Sequence, residues 1–514
     1  MNLPLISRRQ FLGTAAAGLA ASCVRGAESD RDLAQAMEAV RAAIPLASAD
    51  RERPIYHFHP PANWNNDPNG PLFYNGWHHL FYQLNPFGAT IAHQHWGHAR
   101  SQDLVNWEHL PIAICPSSDK GERAIFSGGS IVAKDGRPRL IYTSIGHPEP
   151  EQWMVEPEDE NLISWKKFYG NPVLTSAAHG GVTVNEWRDP FLFSEGGEFY
   201  MVCGGMANTE QGGRGQVQLY RATKDDLSQW RWLGTVFQPP ERETYDVECP
   251  NLFKLDDKWV LIISPNRPCE YFVGTLDLKS VRFTPETHGI LDAGDAYASN
   301  IYRDDQGRTI LWLWGRTYTP PGRGWNGVMT MPRILSIGSD GFLRQHVLPA
   351  FQQLRGEPKV FPGRQLGEET VVLDGVPGDA VEIEAEFSAG NFATFGFEVG
   401  HSASGQPAAT VTIQRGILAV GNARTYVGNP ERYKLHLFID KRCLEVYVND
   451  GVVALYSAID MPTEDTRVAV FGVPSHVDSE PPNAVNHTPQ GVRLESLTTW
   501  PMKPASFSLE HFHI

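Results

Sequence analysis

Three acidic residues, Asp67, Asp189 and Glu248, stand shortly before apolar strands at nearly the same distance. They lie 14, 12 and 13 residues before the centre of the second strand that follows each of them. Carboxylates that a repeated fold brings together repel one another, so the pKa of one of them should be raised. Separated pKa values are what a general acid and a nucleophile need in the retaining cleavage of a glycosidic bond. Two alternatives are a calcium or magnesium site and three unrelated turn caps.

The elements that must position these acids form an internal repeat. Five segments share a polar motif, an apolar strand, a turn and a second apolar strand: 67–83, 127–143, 189–202, 248–262 and 299–313. The centres of their second strands are 60, 60, 60 and 50 residues apart. One sheet per unit cannot bury both of its faces alone, so the units must pack side by side. The repeat predicts an all-β fold with a five-bladed β-propeller over residues 53–345, rather than a β-sandwich with accidental spacing.

The segments on either side of the propeller have other patterns. Residues 28–52 are predicted to form a lead-in that contains a short amphipathic helix at 31–47. Residues 346–370 are interpreted as a linker. Polar and apolar residues then alternate in strands up to residue 503, which is typical of antiparallel sheets with one solvated face. We therefore predict a β-sandwich over residues 371–503, followed by a C-terminal tail, 504–514.

The first 27 residues resemble an export signal. The pair Arg8-Arg9 and the small, apolar stretch from Phe11 to Ala21 resemble a twin-arginine signal. Such a signal implies that the folded chain leaves the bacterial cytoplasm for the periplasm, the cell surface or the medium. The string that ends at Cys23 resembles a loose lipobox, so lipidation of Cys23 is an alternative to a free mature chain.

The composition excludes several classes of function. The net charge of −15 argues against a nucleic-acid partner, which would need a basic face, and against adsorption to anionic lipid. Six cysteines in 514 residues make no disulfide scaffold, and no CxxC pair is present to hold zinc through thiolates. No run of 18 apolar residues follows the N-terminal region, so no membrane-spanning helix is expected.

The strings around the three acids resemble the signature motifs of glycoside hydrolase family 32. These strings are Trp64-Asn65-Asn66-Asp67-Pro68-Asn69-Gly70, Arg188-Asp189-Pro190 and Glu248-Cys249-Pro250. Further similar strings lie at 81–86, 96–99, 101–104, 126–128, 297–298, 331–333, 438–440 and 445–451. The family contains invertases, exo-inulinases, levanases and related fructosyltransferases. The likeness runs in order from about residue 55 to residue 500, and it implies a five-bladed propeller with a C-terminal β-sandwich.

The resemblance also implies a role for each acid. Asp67 resembles the family's nucleophile, Glu248 its acid/base, and Asp189 its transition-state stabiliser, which the neighbouring Arg188 would keep ionised. Six residues resemble the lining of the family's fructose site: Asn66, Gln83, Phe126, Ser127, Arg188 and Trp314. The implied activity is retaining hydrolysis of β-fructosidic bonds in sucrose or fructans, without a metal or an organic cofactor.

Some points stay open. The same covalent intermediate could pass its fructosyl group to a sugar, as in a fructosyltransferase, and a propeller of this kind could also bind carbohydrate without catalysis. The chain departs from the family pattern at Asn65, Ile91 and Leu313, which concerns substrate preference rather than the catalytic groups. The sequence does not distinguish sucrose, inulin and levan as substrates, or a monomer from a dimer.

Overall fold

The computed structural model describes residues 17–209, 212–240, 244–390, 392–401, 406–462, 466–474 and 491–513. The twin-arginine pair lies outside these residues. One helix, α1 (Ala17–Ala49), includes the predicted helix at 31–47 and starts inside the segment interpreted as the export signal. Among the described residues, no helix is both long and apolar enough to cross a membrane.

After α1, the chain folds into five antiparallel sheets of similar design, called sheets I to V here. Sheet I contains β1 (Asn63–Tyr74), β2 (Trp77–Asn85), β3 (His95–Ser101) and β4 (Trp107–Ile114). Sheet II contains β5 (Ala124–Val132), β6 (Pro138–Ile145), β7 (Glu151–Pro157) and β8 (Trp165–Lys167). Sheet III contains β9 (Asn185–Glu195), β10 (Glu198–Thr209), β11 (Gly212–Ala222) and β12 (Trp230–Phe237). Sheet IV contains β13 (Glu248–Leu255), β14 (Lys258–Ser264), β15 (Glu270–Asp277) and β16 (Arg282–Ile290). Sheet V contains β17 (Ala296–Arg303), β18 (Thr309–Gly315), the short β20 (Val328–Met329), β21 (Arg333–Ile337) and β22 (Leu343–Val347). In the described part of the chain, three short 3-10 helices lie between strands: Ser118–Lys120, Ser176–His179 and Pro349–Leu354.

The first strands of the five sheets form a ring. In chain order β1, β5, β9, β13 and β17 each contact the next, and β17 contacts β1 again. A short strand in the loop after β18, β19 (Trp325–Asn326), pairs in parallel with Asn63 and Trp64 of β1 and so ties sheet V to sheet I. A ring of sheets closed in this way is a β-propeller, in which each sheet buries its faces against its neighbours.

Each of these first strands carries a bulge near its start. The regular pairing is interrupted between Asn65 and Pro68, Ile125 and Gly128, Arg188 and Phe191, Glu248 and Asn251, and Tyr297 and Ser299. A bulge leaves a residue unpaired and re-aims the side chains beside it. Asp189 and Cys249 sit in their bulges with φ of 61° and 45°, a backbone region that costs a non-glycine residue energy. The bulges therefore place strained, re-aimed residues at one end of the ring.

The C-terminal part of the chain forms two further sheets that pack as a β-sandwich. Sheet VI contains β23 (Lys359–Phe361), β24 (Arg364–Leu366), β26 (Ala380–Ala389), β31 (Arg432–Asp440), β32 (Cys443–Val448), β33 (Val453–Ala458) and β35 (Val492–Pro501). Sheet VII contains β25 (Val371–Val372), β27 (Thr394–His401), β28 (Ala409–Gln414), β29 (Ile417–Val420), β30 (Ala423–Tyr426) and β34 (Arg467–Val473). Alternate side chains of both sheets fill one apolar core. A propeller followed by a β-sandwich confirms the predicted fold class.

Both ends of the described chain pack against the propeller. In α1, Ala36, Met37 and Val40 are fully buried in the propeller's apolar cluster. In the predicted tail, β36 (Phe507–Ser508) pairs in parallel with β4. The segment interpreted as a linker, 346–370, contains a 3-10 helix and also the strands β23 and β24, which pair with β35. That segment is therefore part of the folded structure rather than a free connection.

A buried cluster of charged residues joins the propeller to the sandwich. His57 lies between two sandwich carboxylates, with Nδ1 2.9 Å from Asp440 Oδ2 and Nε2 3.3 Å from Glu445 Oε1. Arg333 Nη2 donates to Glu445 Oε2 at 3.1 Å and to Asp292 Oδ2 at 2.9 Å. Backbone N–H groups of residues 55–57 donate to Asp440 at 2.7 to 2.9 Å. We call the five charged residues the interface cluster: His57, Asp292, Arg333, Asp440 and Glu445. All five side chains are fully buried.

The pKa values of the interface cluster follow from its donors. Burial alone would raise the pKa of Glu445, but Arg333 and the hydrogen bonds from His57 and Tyr447 lower it to about 2. Burial alone would lower the pKa of His57, but Asp440 and Glu445 raise it to about 9. His57 and Glu445 are therefore a charged pair at neutral pH. Burial raises the pKa of Asp292, and Arg333 opposes that rise.

Candidate active site

A cavity of about 330 Å³ opens at the end of the propeller where the bulges lie. Side chains from all five ring sheets line it: Asn66, Asp67, Gln83, Ile91, Gln94, Phe126, Arg188, Asp189, Glu248, Cys249, Asn266, Tyr297, Trp314, Arg316 and Tyr318. Every residue that the sequence predicted for the site is in this set except Ser127, which contacts Asp67 directly. The three acids, separated by up to 181 positions in the sequence, therefore meet in one cavity.

Asp67 is held by a closed loop of hydrogen bonds. Ser127 donates its hydroxyl to Oδ2 of Asp67, and Asn66 Nδ2 donates to Oδ1 at 3.1 Å. Asn66 also donates to Gln83 Oε1 at 2.5 Å, and Gln83 Nε2 donates to Ser127 Oγ at 2.7 Å. Burial raises the pKa of Asp67, and the hydrogen bond from Ser127 opposes that rise. The loop fixes the carboxylate and supplies the donors that favour its ionised form.

Asp189 is the most strongly perturbed acid of the cavity. Its Oδ2 accepts the backbone N–H of Cys249 at 3.0 Å, and its own N–H donates to Thr143 Oγ1 at 2.9 Å. Burial raises the pKa of Asp189 to about 7, although Arg188 opposes this rise. Arg188 Nε lies 3.7 Å from Asp189 Oδ2, too far for a hydrogen bond. Arg188 favours the ionised form of Asp189, as expected, but burial and the neighbouring carboxylates outweigh its effect on the pKa.

Arg188 instead forms its short contact with Glu248. Its Nη2 donates to Glu248 Oε1 at 2.7 Å, and Tyr297 donates its hydroxyl to Oε2. Burial, reinforced by the charge of Glu248, raises the pKa of Tyr297, so its hydroxyl remains a donor at neutral pH. Burial opposes the charge on Arg188, but the carboxylates of Asp189 and Glu248 raise the pKa of Arg188. Both oxygens of Glu248 are thus held by donors that stay protonated.

The strand register shows which positions of the repeat are equivalent. Arg188 pairs with Gly204, and Glu248 pairs with Ser264, each three residues beyond the centre of the second strand. Glu248 is therefore equivalent to Arg188, and Cys249 is equivalent to Asp189. Asn65 pairs with Leu84, also three residues beyond the centre, so Asn65 is equivalent to Arg188 and Glu248. The expectation that all three acids occupy one repeat position was therefore wrong: Glu248, Asp189 and Asp67 take three successive positions of the bulge.

Cys249 packs between the two buried aspartates. Its Sγ lies 3.6 Å from Asp67 Oδ2 and 3.7 Å from Asp189 Oδ2. Burial, followed by the two negative charges, raises the pKa of the thiol well above its usual value. The thiol therefore stays protonated and can act as a weak donor to both carboxylates.

The wall and the mouth of the cavity are aromatic and apolar. Trp314 stands edge-to-face with Trp64, their ring centroids 5.7 Å apart. Ile91 and Tyr318 rim the mouth and are 60% and 61% exposed. Asn65, which like Ile91 differs from the family pattern, is fully buried and does not line the cavity. Of these departures, only Ile91 is therefore in a position to touch a substrate.

Sequence reasoning assigned no role at the site to Tyr297, Asp246 or Asn266. Tyr297 is equivalent in register to Arg188 and Glu248, so an alignment of the repeats that allows for bulges would have found it. Asp246 and Asn266 lie in loops, where no strand pattern marks them. Their contribution depends on contacts that only the folded chain shows.

The metal alternative has its best geometry elsewhere in the described residues. There, one group, Glu382, Glu384 and His436 of the sandwich, has its ligand atoms within 4.8 Å of one another. Arg355 already donates to both carboxylates, at 2.7 and 2.6 Å to Glu382 and at 2.9 Å to Glu384. A guanidinium thus balances the charge that would attract a cation.

Comparison with known proteins identifies the family. The model of the glycosyl hydrolases family 32 N-terminal domain matches residues 57–347, and that of the family 32 C-terminal domain matches residues 351–480. The chain is 31% identical to a levanase of Bacillus subtilis, over 88% of this chain and 70% of the levanase. It is 30% identical to a sucrose-6-phosphate hydrolase of the same species, over 81% of this chain and 91% of that protein. The fold is similar to that of fructan 1-exohydrolase IIa from Cichorium intybus, with a TM-score of 0.77, 24% identity and coverage of 89% and 99% of the two chains.

A propeller whose axial cavity holds three acids, joined to a β-sandwich, defines a glycoside hydrolase architecture. The chain belongs to glycoside hydrolase family 32, since the two domain models together match most of its length.

Proposed function

We propose that the protein hydrolyses β-fructosidic bonds in sucrose or fructans and releases fructose through a covalent fructosyl-enzyme intermediate. The observation that carries this proposal is the meeting of Asp67, Asp189 and Glu248 in one cavity, each held by a different set of donors. The names of the similar proteins, levanase, sucrose-6-phosphate hydrolase and fructan exohydrolase, support fructosides as the substrate class.

In the first half of the proposed reaction, the glycosidic bond is exchanged for an ester. A carboxylate oxygen of Asp67 attacks the anomeric carbon of the fructosyl unit. Glu248 gives its proton to the glycosidic oxygen, the bond from that oxygen to the anomeric carbon breaks, and the aglycone leaves as a neutral alcohol. Glu248 suits this role because Arg188 and Tyr297 hold both of its oxygens in a fixed direction.

In the second half, water replaces the aglycone. Glu248, now ionised, takes a proton from a water molecule, whose oxygen attacks the anomeric carbon and displaces Asp67. Fructose leaves with the configuration that it had in the substrate, and both carboxyl groups return to their starting states.

Asp189 is proposed to accept hydrogen bonds from fructosyl hydroxyls and to stabilise the positive charge of the oxocarbenium-like transition state. Burial raises the pKa of Asp189 to about 7, and positive charge that develops next to it favours its ionised form. Bound substrate would displace water from this cavity and strengthen that electrostatic effect.

The test is fructose release from sucrose, inulin and levan in parallel, with Asp67→Ala as the control. We expect fructose from at least one substrate and none from the variant. Products longer than the substrate would show transfer to a sugar instead of water. No release by a folded wild-type protein from any of the three would contradict the proposed function.

We also propose export through a twin-arginine signal at residues 1–27, on the strength of the pair Arg8-Arg9. Replacement of both by lysine should leave the protein in the cytoplasm of a bacterial host, as cell fractionation would show. Labelling of the wild type but not of Cys23→Ser with a radioactive fatty acid would add a lipid anchor to this proposal.

A further inference from the structure

Glu248 belongs to a closed ring of hydrogen bonds that extends behind the cavity. Arg188 Nη2 donates to Glu248 Oε1 and to Asp246 Oδ2, both at 2.7 Å. Asn266 donates from Nδ2 to Asp246 Oδ1 at 2.5 Å, and from its backbone N–H to Tyr297 Oη at 2.8 Å. The hydroxyl of Tyr297 returns to Glu248 Oε2. Each oxygen of Glu248 is therefore connected, by a different route, to the carboxylate of Asp246.

Asp246 has no part in the reaction described above. It is 4% exposed, does not line the cavity, and lies two residues before Glu248 in the loop that leads into β13. One nitrogen atom, Arg188 Nη2, donates to both carboxylates, one hydrogen to each. Asp246 and Glu248 therefore share the positive charge of one guanidinium.

We infer that Asp246 is a positioning residue that limits how strongly Arg188 stabilises ionised Glu248, and so sets the upper end of the pH range in which Glu248 can act as an acid. This inference rests on the proposed role of Glu248. Protonated Glu248 is the form needed in the first half of the reaction. A competing carboxylate on Arg188 favours that form, because it neutralises part of the guanidinium charge.

Other charged and titratable groups also face Glu248. They are Asp67 on β1, Arg188 and Asp189 on β9, Cys249 on β13, Tyr297 on β17 and Arg316, whose guanidinium lies 5.1 Å from the centre of the Tyr297 ring. All of these line the cavity, so changing any of them would disturb substrate binding as well. Asp246 does not line the cavity, so changing it separates the effect on the acidity of Glu248 from an effect on substrate binding.

The matched control is Glu186. Its carboxylate also accepts from Arg188, with Oε2 3.1 Å from Nη1, but its side chain is 56% exposed. Solvent screens an exposed carboxylate, so its removal should have little effect on the charge balance at Arg188. Glu186 and Asp246 thus bind the same guanidinium and differ in burial.

The experiment measures kcat/KM against pH with the best of sucrose, inulin and levan. Asp246→Asn should move the alkaline limb of the profile to lower pH by about one unit, because the variant removes a buried negative charge that neutralises part of the charge of Arg188. Glu186→Gln should leave that limb in place. With β-fructofuranosyl fluoride, whose leaving group needs no proton from an acid, Asp246→Asn should retain the wild-type rate across the same range.

A second variant keeps the test decisive if Asp246→Asn does not fold. Asn266→Ala removes a hydrogen-bond donor from Asp246. The Asp246 carboxylate then interacts more strongly with Arg188, so the alkaline limb should move to higher pH. An unmoved limb in a folded Asp246→Asn protein, or an equal shift in Glu186→Gln, would overturn the inference. So would a downward shift in Asn266→Ala.

Failure of the proposed function would look different. Glu248→Gln would then keep its turnover of the natural substrate, and the inference would fall together with the acid/base assignment. Where Glu248→Gln loses turnover and the limb of Asp246→Asn stays in place, the inference alone is wrong.

Discussion

Glu445 of the interface cluster and Asp189 of the cavity are both buried carboxylates, yet their pKa values move in opposite directions. At the interface, Arg333, His57 and Tyr447 hydrogen-bond to Glu445 and lower its pKa to about 2. In the cavity, Asp189 accepts the backbone N–H of Cys249, has no hydrogen bond from Arg188, and its pKa rises to about 7. Burial raises the pKa in both places, so the number and charge of the donors decide the outcome.

This difference separates the structural carboxylate of Glu445 from that of Asp189. Glu445 is fully buried, and His57, Arg333 and Tyr447 all hydrogen-bond to it. Asp189 keeps an incompletely satisfied carboxylate beside a cavity, where substrate hydroxyls can complete its hydrogen bonding. The cost of leaving it unsatisfied is borne by the stability of the fold.

The largest effect expected is on the stability of the interface. Glu445→Gln leaves Arg333 and His57 buried without their shared counter-charge, and the loss of one partner from a buried pair costs about 3–5 kcal/mol. Urea unfolding at pH 7 would measure the free energy of unfolding. A loss below 1 kcal/mol would show that the cluster is less dependent on Glu445 than its contacts indicate.

A smaller effect with a different signature is expected in the cavity. Asp189→Asn should lower kcat/KM about 10²–10³-fold, since a preorganised transition-state contact is lost. Its free energy of unfolding at pH 8 should be equal to or above that of the wild type, because a buried charge is removed. Loss of both activity and stability would place Asp189 in the same class as Glu445.

The pH dependence of stability should sharpen the same contrast. Because folding lowers the pKa of Glu445, its stabilising contribution is present above the unfolded value and disappears as pH falls towards 2. Folding raises the pKa of Asp189, so the destabilisation that it causes grows as pH rises from about 4 to about 7. The difference in unfolding free energy between wild type and Glu445→Gln should therefore shrink in acid below about pH 4. The difference between wild type and Asp189→Asn should appear only above that pH.

The repeat of apolar strands and the family-like strings were enough to predict the fold class and eight of the fifteen residues that line the cavity. Strand periodicity is local, so it can be read without tertiary contacts. The spacings of 14, 12 and 13 residues did not identify equivalent positions, because only the strand register shows which residues pair. The expected ion pair between Arg188 and Asp189 is present at 3.7 Å, but the sequence did not show the shorter contacts of Arg188 with Glu248 and Asp246.

By itself, the sequence determined which side chains could do chemistry and that they would share one end of a ring of sheets. Only the tertiary structure decided which hydrogen-bond donors each buried carboxylate would receive. The strings at 331–333, 438–440 and 445–451 looked as distinctive as those of the cavity, yet they build the joint between the domains. The physical reason is that a pKa depends on burial and on donors supplied from distant parts of the chain, and these exist only when the sheets have packed together.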